Sequence, residues 1–345
     1  MVTQNYNGAN VKYFDAPHPI HLECGQTLTH VQIAYHTYGT LNVAKNNVVW
    51  ICHALTANSD AADWWPGMIG KSLLFDTDKY FVVCANVIGS CYGTTGPTSI
   101  NPATGKPYYR SFPEVTTRDM IAAHEQLQKR LGIDHIFMLV GGSIGAFQAL
   151  EWSIMHPELF DKVIISANGA RATPWVIAQS EAQRMAIEVD ATYYEDRPGG
   201  GDKGLAAARA MALVSYRNYH TYNKTQAEPG GVKRNDYRAS SYQRYQGDKL
   251  VKRFDAYSYV RLTQAIDSFD VGRGRGSIEQ ALSLIKAQAL VIGISSDCLF
   301  PVEEQKYMAK HIPNARYAEV DSEFGHDGFL IEHEKLTTVI SELMK

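Results

Sequence analysis

An apolar run, Ile136 to Val140, passes directly into Gly141-Gly142-Ser143-Ile144-Gly145 and from there into the helical stretch AFQALEWSIMHP. No other stretch constrains the fold as much. A strand that becomes a helix within five residues brings two backbones close together, so small residues must flank the serine on both sides. Such a turn lifts the serine hydroxyl above the sheet edge. It also leaves the next backbone N–H, that of Ile144, at a helix N-terminus, where a developing oxyanion is stabilised. The pattern GxSxG arises by chance in many chains. Its setting here, after a strand-like run and before a helix, makes Ser143 a candidate nucleophile.

Comparable runs recur along the chain: VVWIC at 48–52, YFVVCANV at 80–87, KVIISAN at 162–168, QALVIGI at 288–294 and RYAEV at 316–320. Continuously apolar runs with amphipathic segments between them, such as Arg118 to Leu131, predict a mostly parallel sheet covered by helices, the α/β class. Alternation around Ile20 to Leu28 and Val31 to Tyr38 predicts antiparallel strands entering that sheet. The rhythm stops between residues 170 and 276. Helical stretches from Thr173 to Val189, Leu205 to Tyr219 and Tyr257 to Ser268 are separated there by DRPGGGDKG and NKTQAEPGGVKRND, which have the composition of exposed turns. The expected organisation is a core of residues 1–169 and 277–345, with a helical lid insertion at 170–276 over the sheet's C-terminal edge.

Lysines and arginines number 33 against 36 acidic residues, so no basic field exists to hold nucleic acid. Five cysteines at irregular spacing, some inside apolar runs as Cys52 is, read as reduced thiols of a cytoplasmic protein. The start, MVTQNYNGANVKYF, lacks a basic segment followed by an apolar one, and no 18-residue apolar stretch follows. Neither secretion nor membrane spanning is expected. His18, His21 and Cys24 alternate with Ile20 and Leu22, as on one strand face, and no metal is expected.

A serine hydroxyl of ordinary acidity needs a base within hydrogen-bond reach and a carboxylate to orient that base. On an α/β-hydrolase sheet the chain order is serine, acid, histidine. Asp297, in SSDCLFP, follows the run QALVIGI, and His326, in EFGHDGFL, follows RYAEV. Both therefore fall in loops at strand C-terminal ends. Asp321 belongs to a strand end, and Asp267 and Asp270 to the insertion. His124 falls mid-helix, and His156 and His311 lie close to prolines. A second oxyanion donor should come from the loop after an early strand, which points to Leu55 N–H in His53-Ala54-Leu55-Thr56. His53 would anchor that loop through its side chain.

The stretches YHTYGTLN, CHALTANSDAADWWPGMIG, FDTDKYFVVCANVIGSCYGTTGPTSINPATGKPY, GGSIGAFQALEW, DVGRGRG, SDCLFP and GHDGFL resemble the homoserine O-acetyltransferase family over nearly the whole chain. The resemblance implies an α/β-hydrolase fold and a ping-pong route in methionine biosynthesis. Ser143 would take an acetyl group from acetyl-CoA, a co-substrate rather than a resident cofactor, and pass it to the γ-hydroxyl of L-homoserine. It also implies that Arg184, in SEAQRMAI, and Asp327 hold the amino acid's carboxylate and ammonium, and that the protein is a homodimer. Glycine-rich GRGRG at 272–276 lacks the strand and the GK[ST] ending of a phosphate loop, and in the family it marks the return to the sheet. Ala57, Asp60, Ala146-Phe147 and Ser180 depart from the usual family residues. Homoserine succinylation, serine acetylation and plain ester hydrolysis remain as alternatives.

Overall fold

The computed structural model describes residues 8–230 and 233–344. Numbered within the main sheet, its strands are β1 (Lys12–Asp15), β2 (Gln32–Tyr38), β3 (Val48–Cys52), β4 (Phe81–Ala85), β5 (Ile136–Gly142), β6 (Phe160–Ser166), β7 (Gln288–Ile294) and β8 (Ala315–Val320). They lie in the order β1-β2-β4-β3-β5-β6-β7-β8. The pairs β1/β2 and β2/β4 are antiparallel and the rest parallel. Alternation within β3 shows why its run is apolar throughout. Val48, Trp50 and Cys52 enter the core on one face of the sheet, while Val49 and Ile51 enter the core on the other. A strand covered on both faces has no position left for a polar side chain.

The longer helices are α1 (Thr117–Arg130), α2 (Ile144–Met155), α3 (Pro174–Glu188), α4 (Asp202–Tyr216), α5 (Tyr219–Gln226), α6 (Arg238–Val251), α7 (Ala256–Asp267), α8 (Val302–His311) and α9 (His333–Met344). Local chemistry sets their starts. Thr116 and Asp119 form a capping box ahead of α1, and Thr173 caps α3 with Pro174 in its first turn. Helix α2 packs on the face that holds Trp50, and α9 covers the other with Leu336, Ile340 and Leu343. No described helix is long and apolar enough to cross a membrane.

Helices α3 to α7 all lie between β6 and β7, and their buried residues, among them Val176, Leu205, Leu250 and Leu262, are continuous with the core under α2. The excursion closes on itself. Arg171 pairs with Asp270 in an antiparallel bridge, and Ala172 N–H donates to Phe269 O while Val271 N–H donates to Ala170 O. The GRGRG motif forms a latch at this neck. Arg275 donates to both oxygens of Glu151 in α2, at 2.6 and 3.1 Å. Arg118 adds a bond at 2.7 Å, and Arg273 reaches Glu23 at 2.7 and 2.9 Å. The Glu151 side chain is only 2% exposed, so these two guanidinium groups are what make its burial tolerable.

Two expectations from the sequence differ from the structure. Residues Ile20 to Leu28 do not join the main sheet. Gly25, at φ +85°, turns the chain so tightly that Ile20–His21 pair only with Thr27–Leu28 as a separate hairpin. The stretch beginning NKTQ is not all turn, because Asn218 accepts from His220 N–H and Thr221 N–H and so starts a helix that runs through Gln226.

Candidate active site

The turn after β5 holds Ser143 at φ 57°, ψ −128°, a conformation that costs a non-glycine residue about 1–3 kcal/mol. Its surroundings fix that strain in place. A side chain on Gly141 would strike the Gly145 carbonyl, one on Gly142 the Phe329 ring, and one on Gly145 the Cys52 carbonyl. Ser143 N–H donates to Ser166 O at 3.1 Å, and its carbonyl accepts from Ala146 and Phe147 at the start of α2. The hydroxyl therefore stands clear of the helix it precedes.

His326 lies within hydrogen-bond reach of that hydroxyl: Nε2 is 2.9 Å from Ser143 Oγ. On its other side Nδ1 is 2.7 Å from Asp297 Oδ2. Asp297 Oδ1 accepts from Leu299 N–H at 2.8 Å and Phe300 N–H at 3.0 Å, so both carboxylate oxygens are engaged and the group is fixed in direction. Burial alone would depress the imidazole pKa. The Asp297 charge and hydrogen bond, with a smaller contribution from Asp327, outweigh it and hold the pKa above its ordinary value. The alternative acid, Asp321, accepts instead from Ser295 Oγ at 3.1 Å. Gly325, at φ +63°, allows the loop to approach, because a side chain there would meet the backbone of Tyr216 to Asn218.

The two expected oxyanion donors flank the serine. Ile144 N–H is the first of α2, and Leu55 N–H makes no hydrogen bond among the described residues. Its loop is anchored by His53, which is buried and whose pKa burial lowers to about 4. The ring is thus neutral, with Nδ1 2.9 Å from Ala54 O and Nε2 accepting from Val87 N–H at 3.1 Å. Gln148 of α2 donates to His53 O at 3.3 Å, which ties the two donor-bearing elements together.

A small, partly open cavity of about 30 Å³ adjoins Ser143, Leu55 and Ile144. Helices α3, α4 and α7 close it with Gln179, Ser180, Gln183, Tyr216, Thr263 and Ile266. Among the described residues no charged side chain lines it. Arg184, expected at this site, is buried beside the cavity but turned away from it. Its Nη2 meets Asp267 and Glu181, each at 2.5 Å, and Nη1 is sealed without a partner among the described residues. Asp327 is held by Arg217, which also donates to Tyr242 at 3.3 Å. Three contributors had no signal in the sequence. Tyr216, its ring tilted and 5.5 Å from that of His326, and Gln183 sit on helices of the excursion and Arg217 just after α4, and only packing reveals which of them face the site.

A family model described as alpha/beta hydrolase fold matches residues 47–332. A homoserine O-acetyltransferase of Cyclobacterium marinum is 47% identical over 319 residues, covering 92% of this chain and 91% of its own length. The crystal structure of a homoserine O-acetyltransferase from Bacillus anthracis superposes with a TM-score of 0.90 at 26% identity, covering 96% of each chain. That of an esterase, E22, does so with 0.88 at 25%, covering 97% of this chain and 99% of that one.

Proposed function

This chain belongs to the homoserine O-acetyltransferase family of the α/β-hydrolase fold, and on that premise we propose that Ser143, His326 and Asp297 carry an acetyl group from acetyl-CoA to L-homoserine. The observation that carries the residue assignment is the unbroken chain of hydrogen bonds from Ser143 Oγ through His326 to Asp297.

In the first half-reaction His326 Nε2 takes the proton of Ser143 as Oγ attacks the thioester carbonyl. The oxyanion accepts from Leu55 and Ile144 N–H, and the C–S bond then breaks as the thiolate leaves with the proton from His326. In the second, His326 takes the proton of the homoserine hydroxyl, whose oxygen attacks the acetyl-serine carbonyl. Ser143 leaves and regains its proton from His326. Asp297 keeps the imidazole in the tautomer that presents a bare Nε2.

Relatives named as homoserine O-acetyltransferases favour acetyl as the group transferred. The acceptor's carboxylate and ammonium are assigned to Arg184 and Asp327. Each already holds an ion partner and would exchange it for a substrate group. Residues 170–276 act as a lid that keeps water from the acyl-enzyme, which is what separates a transferase from an esterase on one scaffold. The enzyme works in the cytoplasm as a homodimer paired through its outer helices, where Met185, Val189 and Val214 are exposed.

Release of CoA from acetyl-CoA and from succinyl-CoA, with L-homoserine, L-serine or water as acceptor, tests the reading. Release that needs acetyl-CoA and homoserine together is expected. Equal release without an amino acid would make the protein a hydrolase.

A further inference from the structure

One buried amide of the cavity wall is only half satisfied among the described residues. Gln183, in the middle of α3, is 4% exposed and lines the cavity with Ser143. Its amide oxygen accepts from the Tyr259 hydroxyl of α7 at 2.6 Å. That bond between α7 and α3 fixes the orientation of the amide. The amide nitrogen, by contrast, makes no hydrogen bond among the described residues and is not sealed off as the Arg184 Nη1 and Asp267 Oδ1 atoms are. A side chain this buried, held by its oxygen alone, presents two N–H donors to the space beside the nucleophile.

The chemistry of those donors selects what they meet. An ammonium offers no lone pair, and the acceptor's hydroxyl must give its proton to His326. A carboxylate is acceptor-only, and it is the one group of an amino alcohol acid that matches. Arg184, the next residue of α3 and the cation assigned above to that carboxylate, would share it with Gln183 as a second donor. Resting on the acyl transfer proposed above, we infer that Gln183 is a specificity-determining residue that donates its amide hydrogen to the acceptor's carboxylate, aimed by the Tyr259 hydroxyl.

The test compares two acceptors, L-homoserine and 3-aminopropan-1-ol, which lacks the carboxylate, in wild type and in Gln183→Leu, Gln183→Glu and Tyr259→Phe. The burst of CoA released from acetyl-CoA without an acceptor reports acylation and correct folding in each. Gln183→Leu should raise KM for homoserine about ten- to a hundredfold, leave KM for the amino alcohol within about twofold, and spare the burst. Gln183→Glu keeps an oxygen for Tyr259 but offers a second carboxylate, so it should shift preference toward the amino alcohol. Tyr259→Phe should give a smaller loss with homoserine alone. Equal losses with both acceptors, or an unchanged homoserine KM in the two Gln183 variants with intact bursts, would overturn the role of Gln183. A wild-type protein whose CoA release is indifferent to homoserine overturns the transferase reading itself, and this inference with it.

Discussion

Ser143 is held in a strained backbone conformation with its hydroxyl 2.9 Å from a buried imidazole, so its removal should be felt in turnover and hardly in stability. Ser143→Ala is expected to lower kcat by about three to four orders of magnitude or more, with an unchanged melting temperature. Activity that survives the substitution would place the nucleophile elsewhere. The raised pKa of His326 has a defined consequence for pH dependence. The base must be neutral to act, so the acylation rate should climb as pH rises through that raised value. Asp327 contributes to the elevation, so Asp327→Asn should move the acid limb of the acylation burst toward lower pH. A limb that stays put would show that Asp297 alone sets it. The three residues of this chain were legible in the sequence because each stands in a loop directly after an apolar run, in the order serine, acid, histidine. Gln183 and Tyr216 were not, since a helix that carries apolar and polar residues around much of its surface does not declare which face meets a distant strand. Arg184 was named from resemblance, and its ion pairs with Glu181 and Asp267 are a matter of side-chain direction that no spacing encodes.

Among the elements, the strand-to-helix turn tolerates the least change. Gly145→Ala pushes a methyl group into the Cys52 carbonyl and should cost about 1–3 kcal/mol, measured by urea unfolding, while also displacing the Ile144 donor. The neck of the helical excursion depends instead on charge. Glu151→Gln removes the carboxylate shared by Arg118 and Arg275, and should destabilise by about 3–5 kcal/mol. A loss under about 1 kcal/mol would mean that water, not Glu151, satisfies those arginines. Strands β3 to β7 were recognisable because burial on both faces forces a largely apolar run. The hairpin at Ile20–Leu28 was misplaced because its period-two alternation is the same whether a strand joins a large sheet or only folds back on its neighbour, and the turn at Gly25 decides between them. Helix α5 was missed for a related reason. It has no buried residue, so it leaves no periodic stripe, and only the cap at Asn218 announces it.

At the scale of the whole molecule, two buried neutral histidines make stability depend on pH. Burial lowers both His53 and His124 to about 4 from an ordinary value of 6.5. Both are therefore uncharged in the native state, whereas the unfolded chain binds their protons below about pH 6.5. Their contribution is full above that pH and is lost as pH falls toward 4. His124→Asn should flatten the dependence of unfolding free energy on pH in this window by about 1.4 kcal/mol per pH unit. Denaturant titrations at several pH values would measure it, and an unaltered slope would mean that His124 is protonated in the native protein. The paired neck at Arg171 and Asp270 has a different kind of consequence. A hundred-residue excursion whose two ends lie side by side adds nothing to the distance the sheet must bridge between β6 and β7. To the sheet it is topologically a single long loop, so recombination or duplication can exchange one roof for another at this junction while the floor keeps its register. Relatives with the same nucleophile can thereby diverge in what they admit by trading a module rather than by accumulating point changes.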